Sequence, residues 1–74
     1  MRKMPQAETR LLAPRNLPAG RKVNIAWTSG GKRLIGTCWT KQVQTFLDRR
    51  ILAGSKDVRL HVEGRKPISL GDKL

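Results

Sequence analysis

Glu8, Asp48, Asp57, Glu63, Asp72, His61 and Cys38 are the side chains of this sequence that could serve as acid, base, nucleophile or metal ligand. Catalysis needs such groups to converge, as a nucleophile beside a base or as two carboxylates flanking one bond, and their spacing follows neither pattern. A non-enzymatic role is expected, without catalytic residues, cofactor or metal. Cys38 stands alone, so it can neither close an internal disulfide nor build the several-ligand shell of a zinc site, and it suggests a cytoplasmic protein. His61 sits between Leu60 and Val62, and if those face a core its ring meets solvent or a partner. Gly30-Gly31-Lys32-Arg33 looks like a phosphate-cradling loop. A P-loop, however, needs a longer glycine spacing and a helix directly after its lysine, whereas a strand pattern follows here. A hairpin turn whose Lys32 and Arg33 touch phosphate is the better reading.

Charge is the strongest chemical signal. The 74 residues hold 16 Lys+Arg against 5 Asp+Glu, a net charge of +11, enough chain for one small domain and too little for most enzymes. So large an uncompensated excess concentrates polyanions at the surface, and each phosphate neutralised releases counterions. The candidate contacts to nucleic acid or a partner are Arg15, Arg21, Lys22, Lys32, Arg33, Lys41, Arg49, Arg50, Arg59, Arg65 and Lys66, with Trp39 as an aromatic that can stack a base. Against that role for Trp39 stands a second minor core, in which Leu11, Leu12 or Leu17 folds back over Ile35 and Trp39. Only three aromatics are present, and the motif of RNA-recognition sheets is absent. The expected function is a small basic nucleic-acid-binding regulator, for DNA or RNA. The alternative is a phage- or mobile-element-type regulator that docks on a nucleic-acid machine such as RNA polymerase or the ribosome.

The elements that must position these residues follow from periodicity. Residues 1–22 hold three of the four prolines and six basic residues against Glu8, which reads as a basic arm, largely disordered or ordered by a partner. Within it, residues 5–13 suit two helical turns that need a surface to lie on. Its prolines and charges also break every apolar run, so no secretory signal is expected, and no stretch approaches the roughly 20 residues of a membrane span. Val23, Ile25 and Trp27 alternate with polar or small residues, Gly30-Gly31 supplies a two-residue primed turn, and Leu34, Gly36 and Cys38 alternate in return. The resulting hairpin pairs Trp27 with Leu34, Ile25 with Gly36 and Val23 with Cys38 on an apolar face. On the other face it pairs Thr28 with Arg33, Ala26 with Ile35, Asn24 with Thr37 and Lys22 with Trp39.

From Thr40 the period becomes helical: Val43, Phe46, Leu47 and Ile51 form one stripe of a helix expected over residues 40–53, N-capped by Thr40 and ended by Gly54. Val58, Leu60 and Val62 then mark a third strand, and residues 67–70 a possible fourth. A three-residue loop would set Leu60 opposite Ile68 and Val58 opposite Leu70, with Pro67 confined to an edge. The expected architecture is a two-layer α+β domain over residues 23–70, of order ββαββ, with a flexible basic N-terminal arm and a frayed end over 71–74. Its core would hold Val23, Ile25, Trp27, Leu34, Val43, Phe46, Leu47, Ile51, Val58, Leu60 and Val62. A winged helix-turn-helix is the weaker rival, since no second long helix supports the first. A homodimer through an exposed first or last strand fits the pattern as well.

Overall fold

The computed structural model of the protein describes residues 11–73. The chain runs through β1 (Lys22–Ser29), β2 (Lys32–Trp39), a 3-10 turn (Thr40–Gln42), α1 (Val43–Arg49), β3 (Lys56–Val62) and β4 (Ile68–Gly71). The strands form one antiparallel sheet in the order β2-β1-β3-β4, so β1 and β3 are central and β2 and β4 are edges. The first strand is therefore interior and offers no free edge. The short helix expected over residues 5–13 falls mostly outside the described residues, and 11–13 are not helical.

The first hairpin has the register that its turn and alternation require, from Lys22 opposite Trp39 to Ser29 opposite Lys32. Gly30 and Gly31 take φ values of 58° and 80°, the left-handed conformations that a primed turn needs at both positions. β3 adds Leu60 beside Ile25 and Val62 beside Val23, so one sheet face is apolar across both central strands. α1 lies on that face. Val43, Phe46, Leu47 and Ile51 are buried against Val23, Ile25, Trp27, Val58, Leu60 and Val62. Phe46 meets Trp27 edge to face at 5.6 Å.

Four expectations need correction. The helix ends at Arg49 rather than residue 53, and the Ile51 amide reaches back to the Phe46 carbonyl at 3.3 Å as the chain turns away, which keeps Ile51 buried without another helical turn. Its start is not capped by Thr40: a 3-10 turn precedes it, and the Gln42 side chain accepts the Trp39 amide at 3.4 Å. Leu34 lies on the apolar face but is 41 % exposed. Seven helical residues span only about 10 Å, against about 27 Å for eight residues of strand, so the cover stops short of the hairpin tip. Finally, Leu60 does pair with Ile68, but a bulge brings Gly71 rather than Leu70 opposite Val58.

Two connections invisible in the local pattern tie the ends of the described chain to the helix. Gln44 holds residues 11–13: its Oε1 accepts the Ala13 amide at 2.9 Å and its Nε2 donates to the Leu11 carbonyl at 3.0 Å, which seats Leu11 in the core. At the other end, Lys73 Nζ donates to the carbonyls of Leu47 and Ile51, both at 2.6 Å. The Lys73 backbone also bonds Gly54 and Ser55, so ordered structure extends beyond Leu70. An ammonium on the carbonyls that a helix leaves unmade satisfies them and opposes the negative end of its dipole. Lys73→Met should therefore cost about 1–2 kcal/mol and speed amide exchange over residues 50–55 while sparing the first hairpin. Unaltered melting and exchange would show that the cap contributes nothing.

Candidate functional site

The sheet face opposite α1 carries no helix among the described residues, and the register arranges its side chains in rows. Trp39 and Lys22 form the first row, and Thr37, Asn24 and His61 the second. Ile35, Ala26, Arg59 and Ser69 form the third. Arg33, Thr28 and Lys56 close the face near the Gly30-Gly31 turn. Ile35 is 71 % exposed and Trp39 46 %, so residues 11–17 do not cover them; Leu11 and Leu17 pack instead on the main core.

The two ends of this face differ electrostatically. Near the turn, Arg33 and Arg59 share the Asp57 carboxylate at 3.4 Å and 2.9 Å, and Arg33 also donates to Thr28 Oγ1 and the Asp57 carbonyl. Asp57 takes a φ of 52°, beside the irregularity in the β3–β4 pairing, with its amide donating to Asp72 Oδ1 at 2.9 Å. Two guanidinium groups on one carboxylate are partly compensated and held in place.

At the far end the cations converge from separate elements. The Lys22 ammonium lies 5.8 Å from the Trp39 ring centroid, a cation–π pair. Lys41 lines a shallow cleft of about 210 Å³ with Gly20, Trp39 and Thr40, and a neighbouring one of about 400 Å³ with Arg15 and Gln44. The Thr40 amide donates to the Arg21 carbonyl at 2.9 Å, fixing the segment before β1 against the end of β2. Arg15, Arg21, Lys22, Trp39 and Lys41 thus belong to one exposed, predominantly basic end of the molecule, with Glu63 as the acidic neighbour of Lys22, its amide donating to the Lys22 carbonyl at 3.2 Å.

The other candidates lie elsewhere. Lys32 is at the hairpin tip on the helix side, while Arg65 and Lys66 sit in the β3–β4 connection, where Arg65 donates to the Asn16 carbonyl at 3.3 Å. Arg49 and Arg50 line a cleft of about 360 Å³ with Thr37, Cys38 and Phe46. They are not equivalent, because the Arg50 guanidinium covers the Phe46 ring at 5.2 Å and so also packs on the core. Arg2, Lys3 and Arg10 of the basic arm lie outside the described residues.

Burial pushes the Cys38 thiol up from its ordinary range, so little reactive thiolate forms at neutral pH. Among the described residues no three His, Cys, Asp or Glu side chains gather as a metal site, and no helix is long and apolar enough to cross a membrane. Sequence reasoning missed Lys73, which bonds Leu47 and Ile51, and the Asp57 clamp, which brings Arg33 from a distant strand to a carboxylate already held by Arg59. No family model, curated protein or solved structure matches the chain.

Proposed function

We propose that this protein is a small, non-enzymatic, cytoplasmic nucleic-acid-binding regulator. It is built on a ββαββ scaffold, and Arg2, Lys3 and Arg10 of its basic N-terminal segment add phosphate contacts to those of the folded domain. The observation that supports this most is the basic end: Lys22 and Lys41 are exposed beside Trp39, with Arg15 sharing a cleft with Lys41 and Arg21 exposed next to Lys22 in the chain, in a protein of net charge +11. Cations brought to one place by different elements repel one another, and a polyanion relieves that repulsion as it binds.

Binding to random-sequence oligonucleotides, measured across a salt series, tests the reading. Affinity should fall steeply with salt, and Lys22→Ala with Lys41→Ala should flatten the log–log slope by about two on duplex DNA. Absence of binding even at low ionic strength would refute it. If the protein ignored oligonucleotides but held one acidic host protein after nuclease treatment, the basic end would instead be a docking surface for a nucleic-acid machine.

A further inference from the structure

We infer that the ligand is a single strand, DNA or RNA, whose unpaired bases lie on the uncovered sheet face with one of them stacked on Trp39. The inference rests on the nucleic-acid reading above and specifies which form of the polymer this surface takes.

Shape supports it first. Three interstrand spacings make the face about 15 Å wide from β2 to β4, whereas the major groove of a duplex is about 12 Å wide and admits a helix or a two-stranded ribbon. The sheet cannot lie face down in that groove. Its shallow surface suits a strand laid across it.

Chemistry supports it further. Phosphates satisfy cations but give nothing to an indole or an isoleucine side chain, and in a duplex the faces of the bases are already stacked on each other. An unpaired base offers its π-face. Trp39 and Ile35 are the large apolar side chains exposed on this face, and they stand about 14 Å apart along β2, far enough for a strand several nucleotides long to meet both.

Charge is placed to match. Lys22 lies over the Trp39 ring at 5.8 Å from its centroid, within reach of the phosphate next to a stacked base, and Lys41 lines a cleft that the ring also borders. Asn24, Thr37 and His61 form the row between Trp39 and Ile35, with Thr37 donating to Asn24 Oδ1 at 2.9 Å. Trp39 is well anchored for the task, ending a strand whose next residue is bonded to Arg21.

The test compares fluorescently labelled oligo(dT) and oligo(U) of about 12 nucleotides, within the usual span of single-strand binding surfaces, with a duplex of equal length, using the full chain and Trp39→Ala and Trp39→Phe variants. Both single strands should bind more tightly than the duplex. Trp39→Ala should weaken them about ten-fold or more, with duplex affinity unchanged, and Trp39→Phe should recover part of the loss. A preference between the two single strands would show whether the sugar is read. If single strand and duplex bind alike and Trp39→Ala changes neither, the inference fails while the electrostatic reading survives. If nothing binds at low salt, both fail. If the free protein is a dimer in sedimentation and Trp39→Ala makes it monomeric, the face belongs to a second copy and the inference is overturned.

Discussion

Phe46→Ala should leave about half or more of the protein unfolded at room temperature. The ring fills the space between the sheet and α1: it meets Trp27 edge to face, has the Arg50 guanidinium over it at 5.2 Å, and lies over the backbone of β2 at Gly36. Truncating a buried phenylalanine costs about 3–5 kcal/mol through lost transfer energy and the cavity left behind. A domain of this size draws only about 3–5 kcal/mol from its core. The two figures are equal, so net stability falls to about zero and the native state should lose at least about half of its population. Loss of the near-ultraviolet circular dichroism of Trp27 would report it, and Phe46→Leu should retain a cooperative transition. A melting midpoint close to the parent's would mean that Phe46 is not the keystone of the helix–sheet contact.

Gly36→Ala should also destabilise, although the backbone there does not occupy the left-handed region that favours glycine. On propensity alone, alanine within a strand should help by about 0.5–1 kcal/mol. Sterics decide the sign, because an added Cβ would stand 2.4 Å from Phe46 Cζ and 2.9 Å from Cε2. The ring is hemmed in by Trp27 and Arg50, and overpacking of this kind costs about 1–3 kcal/mol. Replacing the ring by a shorter side chain should remove the conflict. In a double-mutant cycle with Phe46→Leu, the pair should therefore be less destabilised than the sum of its members, with a coupling of about 1 kcal/mol or more. Strict additivity would show that the glycine is not a seat for the ring.

What the sequence discloses and what it hides divide along the range of the interactions. The first hairpin is legible because Gly30-Gly31 fixes its turn and the alternation on each side fixes its faces, so every pair follows from neighbours in the chain. The buried stripe of Val43, Phe46, Leu47 and Ile51 is legible for the same reason. The helix end is not: Ile51 continues the apolar period, yet the chain leaves the helix after Arg49, where Lys73 arrives from more than 20 residues away to occupy the carbonyls of Leu47 and Ile51. Leu34 has the right parity and the wrong surroundings, since burial depends on how far the opposite layer extends. Within the candidate surface, residue types alone identify Trp39 and the cations. Which of them gather at one end, and which are clamped by Asp57, depends on sheet order and on a bulge that alternation does not encode.

β2 runs eight residues along the rim of the sheet with no proline, and it exposes Leu34 to one side and Ile35 to the other. A rim of that kind is a template for pairing with its own kind, and mutual repulsion between copies of net charge +11 opposes that pairing in dilute buffer. That guard is only as long as the Debye length, which shrinks to about 3 Å in 1 M salt. Strong brine, the usual remedy for a sticky basic protein, is thus the medium in which concentrated stocks of this one should grow turbid.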